Sequence, residues 1–240
     1  MQHTILARIR LSWFFVIFFV VYLVLAMVLP RHTFEGGALT LFSVNSFLYG
    51  FYISPILSAQ KARIEELHRI VRAEANAIFA MVLMTKDMPK ELRTNLQNMF
   101  THYMQGNIRG HRKFAEMSYE KLITFAMEYK GKEKDTMDKL LEKLVANQQN
   151  RTNLSMQVNN KVFSNEWMII LMLFSITLSF VMLLDTGDSL ILRVVAALLC
   201  TGLTMLLLIL AKLSTLTHKK AKEIWVPFQK LLGSRFYRID

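Results

Sequence analysis

Leu11-Ser12-Trp13-Phe14-Phe15-Val16-Ile17-Phe18-Phe19-Val20-Val21-Tyr22 opens a run that stays apolar and uncharged to Leu29. A helix rising 1.5 Å per residue needs about 20 such residues to cross the roughly 30 Å hydrocarbon core of a bilayer. Three further runs meet that length: Ala38–Leu57, Trp167–Leu184 and Leu190–Leu210. They form two pairs on either side of a long polar segment. The pattern predicts an all-α, four-span helical membrane protein whose long helices extend into a cytoplasmic helical domain. With 53% hydrophobic residues and a mean hydropathy of +0.30, the composition fits a membrane class and excludes a disordered chain.

The net charge of +11 is concentrated in three segments. Residues 1–10 carry +2, residues 59–166 carry +5, and the tail from Lys212 carries +5. In the connection 30–37 Arg31 balances Glu35, and residues 185–193, with Asp185, Asp188 and Arg193, carry −1. Lys and Arg are retained on the cytoplasmic side, so both termini are expected in the cytoplasm and both short connections outside. The first run reads as a retained anchor, because it is long for a signal sequence and Pro30-Arg31-His32 is no small-residue cleavage site. The basic total reflects topology and anionic lipid, and no nucleic-acid partner is expected. Four regions result: a first helix pair (1–58), a cytoplasmic helical domain (59–166), a second helix pair (167–211) and a basic tail (212–240).

Gly and Pro are scarce between Ala59 and Glu166, and apolar residues recur there at helical spacing. Leu57, Ile64, Val71 and Ile78 are seven apart and read as an oligomer seam on a helix continuing out of the second span. That helix ends near Thr85–Pro89, where Asp87 is placed to cap the next. Leu92, Leu96, Met99 and Tyr103 mark a second helix face, and Phe114, Met117, Leu122 and Phe125 a third. From Asp135 no breaker precedes Trp167, so a single helix is predicted from about residue 136 to 184. Its amide-rich stretch Asn147–Asn160 is either a solvated or inter-subunit face, or a vestibule on a central axis. In the tail, Ile224, Trp225, Phe228, Leu231 and Leu232 with interleaved Lys suggest a membrane-interfacial segment, which Pro227 interrupts.

Polar groups inside a bilayer are costly, so their placement carries the functional signal. The second span contains Thr40, Ser43, Ser46, Gly50 and Ser54 three or four residues apart, flanked by Asn45, Tyr49 and Tyr52. Such a stripe suits close helix packing. It also suits a pore wall, though packing is slightly favoured from the stripe alone, with Ser43, Ser46, Gly50 and Ser54 facing water and Phe47 or Phe51 forming a hydrophobic constriction. In the fourth span Ala196, Ala197, Thr201 and Gly202 suit close packing, and Cys200 is a packing residue. Arg193 is expected to reach outward to Asp188 or Asp185 at an outer mouth. No fixed charge falls mid-membrane, which argues against an acidic proton relay.

No phosphate loop, HExxH or Gly-x-Ser-x-Gly is present, and the six histidines have no ligand spacing. Neither a cofactor, a metal nor catalysis is expected. The one catalytic alternative is Arg63 with His68, an Arg-x4-His pattern as in the helical HEPN ribonucleases.

The plan of two spans, a helical insert and two closing spans resembles the bestrophin-like domain family of bacterial and plant membrane proteins. The resemblance lies in Arg69-Ile70-Val71-Arg72-Ala73-Glu74-Ala75-Asn76-Ala77-Ile78, Met88-Pro89-Lys90-Glu91-Leu92-Arg93, the Tyr103 helix and Asn165-Glu166-Trp167, over most of residues 38–212. It implies distant kinship to bestrophins, pentameric anion channels lined by their second helix, and a bacterial inner-membrane location. The expected function is therefore passive conduction of inorganic ions by a homo-oligomer, along a pore lined by the second span. Basic flanks favour anions and Asp185 and Asp188 favour cations, with the balance to anions. The alternative from another class is a membrane scaffold or sensor whose helical domain binds a partner along Leu57/Ile64/Val71/Ile78.

Overall fold

The computed structural model describes residues 11–185, 187, 189–218, 223–234 and 237. Its helices are α1 (Leu11–Val28), α2 (Gly36–Met84), α3 (Lys90–Ile108), α4 (Arg112–Glu128), α5 (Lys134–Ala146), α6 (Gln148–Asn159), α7 (Ser164–Leu183) and α8 (Leu190–Ser214), then a 3-10 turn (Glu223–Trp225) and α9 (Val226–Gly233). No strand occurs among the described residues. Four stretches are long and apolar enough to cross a membrane, carried by α1, the first part of α2, α7 and α8. The chain divides into two compact units, residues 1–62 with 161–221 and residues 63–160 with 222–240.

In the first unit α1 lays one face against α8 and leaves the rest exposed. Tyr22 and Ala26 pack with Met182, Ala197 and Cys200, and the Tyr22 hydroxyl shares a 2.7 Å hydrogen bond with Thr204. The start of α2 packs on α7 and α8 through Tyr49, Ile53, Ile170, Leu173 and Leu210. Asn45 Nδ2 fastens this contact, donating to the Thr177 hydroxyl at 2.8 Å and the Leu173 carbonyl at 3.1 Å. The two short connections pair: His32 N–H donates to the Leu183 carbonyl at 2.9 Å, and Asp185 N–H to that of His32 at 3.1 Å.

In the second unit the heptad positions are spent within the chain. Ile64, Val71 and Ile78 are buried, as are Leu67, Met81, Leu96 and Phe100, while in the first unit Leu57 packs beside the Tyr49–Ile53 cluster. The expected oligomer seam is thus an intramolecular core. The helix faces are also offset from expectation. On α4, Ala115, Tyr119, Leu122 and Ala126 turn inward while Phe114 and Met117 stay exposed. Small residues let α4 lie close to α3, where a Cβ on Gly106 would meet the Ala115 Cβ at 3.0 Å. The end of α3 is set by Gly110 at φ +76°, which lets His111 N–H reach back to the Gly106 carbonyl at 2.8 Å. Asp87 caps nothing, since α3 begins after Pro89. Nor is the tail segment interfacial: Ile224, Phe228 and Leu231 are buried in this unit.

The single helix expected over 136–184 is three helices. Asn147 separates α5 from α6, and residues 160–163 separate α6 from α7. The second break follows from where its backbone bonds go. Arg63 donates through Nε to the Gln157 carbonyl at 2.6 Å and through Nη2 to the Val158 carbonyl at 2.8 Å. A continuous helix would give those carbonyls to residues 161 and 162. Val162 N–H instead donates to the Ser214 hydroxyl at 3.3 Å. Phe163 is extended (ψ 152°), and Glu166 accepts its N–H at 2.9 Å to start α7.

Candidate functional site

The polar stripe of the second span divides between two faces of α2. Asn45, Tyr49 and Ile53 face α7, as above. Ser43, Phe47, Gly50, Phe51 and Ser54 lie on the exposed side, and Phe47 and Phe51 are 69% and 70% exposed. Their rings stack 6.0 Å apart, and a Cβ on Gly50 would meet nothing within 4 Å. The Ser43 hydroxyl donates to the Leu39 carbonyl at 3.0 Å, leaving its lone pairs outward. Ser46 departs from the expected stripe. It is half-buried at the edge of the face, with Oγ enclosed and without a hydrogen-bond partner. A 3.6-residue turn puts it about 60° from Ser43, enough to bring it under the neighbouring side chains.

Of the expected outer-mouth charges, Asp185 accepts the Gly187 N–H at 2.8 Å. Arg193 is half-buried in the first turn of α8, and Asp188 lies outside the described residues. Arg63, the arginine of the Arg-x4-His pattern, is buried and donates to the carbonyls of Gln157 and Val158. Among the described residues no three His, Cys, Asp or Glu gather as a metal site.

The most developed polar site lies in the second unit, where three helices and the Asn147 turn converge on Glu74 of α2. Glu74 is 0% exposed. The Tyr103 hydroxyl of α3 donates to its Oε1, whereas Oε2 has no hydrogen-bond partner. On α4, the Tyr119 hydroxyl donates to the Leu144 carbonyl at 2.9 Å and accepts from Asn147 Nδ2 at 3.2 Å. The guanidinium of Arg151, on α6, lies 3.9 Å above the Tyr119 ring and 5.7 Å from that of Tyr103. Its Nη1 donates to Gln148 at 2.7 Å. Phe228 closes the aromatic side against Tyr103, ring centroids 6.3 Å apart. A cavity of about 40 Å³ adjoins the cluster, lined among others by Tyr103, Asn107, Arg151, Ser155 and Trp225.

Burial dominates the electrostatics. It pushes the Glu74 carboxyl from 4.5 up to about 7, against the pull of the Tyr103 hydrogen bond, the Arg151 charge and the Asn147 amide. Burial likewise lifts the Tyr103 hydroxyl well above its ordinary value, helped by Glu74, and that of Tyr119 to about 12. Glu74 and Tyr103 lie in separate segments of the sequence, and no local pattern joins them. The usable signal was the register of Glu74: it falls among Ile70, Val71, Ala75 and Ile78, on the stripe that helical periodicity sends inward.

No protein-family model, curated protein or solved structure matches this chain.

Proposed function

We propose that this protein is a homo-oligomeric ion channel whose axial pore is lined by the exposed face of α2. Ser43, Gly50 and Ser54 form the polar wall and the stacked Phe47 and Phe51 the constriction. One observation carries this reading: α2 spends its strongest polar side chain, Asn45, on its neighbour, yet leaves hydroxyls, a glycine and two aromatic rings uncovered. In a lipid-facing helix that face gains nothing from hydroxyls, while in a pore they meet water. Five copies follow the bestrophin analogy. The helical insert lies in the cytoplasm in this reading, with both termini. Ring edges and basic flanks suit anions, and the outward lone pair of Ser43 suits cations; the charge balance favours anions. Burial of Ile64, Val71 and Ile78 counts against the scaffold alternative, which would dock its partner there.

Cysteine accessibility tests the assignment, since the single native thiol, Cys200, is buried. In lipid bilayers S43C, G50C and S54C should react with a charged, membrane-impermeant thiol reagent. V16C, on the exposed side of α1, should react only with a lipid-soluble one. Equal protection of all four positions from the charged reagent would refute the pore face.

A further inference from the structure

We propose that Glu74 is a proton-binding site through which the second helical unit responds to pH, its proton deciding whether Arg151 rests on the Tyr119 and Tyr103 rings or pairs with the carboxylate. The proposal does not depend on ion conduction.

Three geometric facts carry it. Glu74 is fully enclosed on the core stripe of α2, and one of its two oxygens has no partner. The O–H of a carboxyl has no acceptor there and a carboxylate has one donor, so loss of the proton leaves a buried charge that calls for a second donor. The nearest cation is held apart: Arg151 lies on the Tyr119 ring and donates to Gln148, making no ion pair with Glu74. Cation–π contact is worth about 1–2 kcal/mol, so the guanidinium can leave the ring once a full negative charge appears beside it. The adjoining 40 Å³ cavity has room for water and is walled by Tyr103 and Arg151, giving the released proton a route to solvent.

The groups facing Glu74 are few. Tyr103 comes from α3, Tyr119 from α4, Arg151 from α6 and the Asn147 amide from the turn before it, and Glu116 of α4 lines the adjoining cavity. From the tail, Phe228 and Trp225 bring no charge. Burial keeps both tyrosines neutral through the physiological range, and Arg151 stays charged. Glu74 is therefore the fully buried member of the cluster that changes charge near neutral pH.

Trp225 supplies the reporter, because it lines the cavity and stacks on Phe228 with ring centroids 5.9 Å apart. The full chain, in lipid nanodiscs with Trp13→Phe and Trp167→Phe, would be titrated from pH 5.5 to 8.5 by Trp225 fluorescence. The expected result is one transition centred near pH 7 that Glu74→Gln abolishes. Arg151→Gln, which removes the charge favouring ionisation, should raise its midpoint by ~1 pH unit. Tyr103→Phe should also raise it. A transition that persists in Glu74→Gln, or no transition in the folded parent, would overturn the proposal. If Glu74→Gln does not fold, the Arg151→Gln midpoint decides: unchanged or lowered, it overturns the proposal as well.

Discussion

Replacing Arg63 by Met removes the fork that closes the end of α6 and leaves most of the buried stem in place. Arg63 is 4% exposed and makes two short charge-assisted hydrogen bonds, 2.6 and 2.8 Å long, to consecutive carbonyls. Hydrogen bonds to charged groups contribute about 1.5–3 kcal/mol each. Two of them give ~3–6 kcal/mol, and relief from desolvating the guanidinium offsets part of that. The Val158 carbonyl is the harder one to satisfy again, because Val158 is 2% exposed and the Val162 N–H is already given to Ser214. A net loss of ~3 kcal/mol is expected. In a chain of this size that lowers the unfolding midpoint by about 6–12 °C. Thermal unfolding in detergent micelles measures it, with hydrogen exchange over residues 154–163 to locate the change. Arg63→Lys should recover less than half the loss, since an ammonium cannot fork across two carbonyls. If Arg63→Met stayed within 0.5 kcal/mol of the parent, with unchanged exchange at 154–163, the account of the α6–α7 break would be wrong.

Glu74 makes stability depend on pH with a definite sign. Its carboxyl is raised from 4.5 to about 7, so between those values the folded state holds a proton that the unfolded state has lost. Stability therefore falls as pH rises from 4.5 to about 7, by ~3 kcal/mol in all, and levels off above, and Glu74→Gln should flatten the dependence of Tm between pH 5 and 8. Gly106→Val should cost about 1–3 kcal/mol by forcing α3 from α4. Gly50→Val, in open space, should leave detergent-solubilised stability within 0.5 kcal/mol of the parent. Asn45→Leu should lose only about 0.6 kcal/mol, the mean for polar contacts between membrane helices; a loss above 2 kcal/mol, measured by the same unfolding assay, would make Asn45 more than a fastening.

Hydropathy made the four spans legible, because about 20 apolar residues have few other uses. Helical periodicity made the inward stripe of α2 legible too, but not its partner. The seven-residue spacing of Leu57, Ile64, Val71 and Ile78 says that another helix covers them, and is silent on whether that helix is another subunit's or this chain's. The α6–α7 break was hidden because no Gly or Pro marks it. It depends on Arg63, far away in sequence, taking two carbonyls, and on Ser214 taking an N–H. The face of Ser46 was misjudged by part of a turn, which spacing alone does not resolve. The Glu74 cluster draws on residues 74, 103, 119, 147 and 151, and no local pattern joins them. A charged residue in phase with a buried stripe is the transferable sign.

The central claim is that the exposed face of α2 lines a conducting path, and ion flux through the purified protein in liposomes tests it most directly. Chloride and potassium would be substituted in turn, and the parent compared with Gly50→Phe, whose side chain points into space that the subunit leaves empty. The account predicts selective flux in the parent, larger for chloride, and its loss in Gly50→Phe at unchanged oligomer size. Flux through Gly50→Phe equal to that of the parent, or none through folded, oligomeric parent protein, would contradict it.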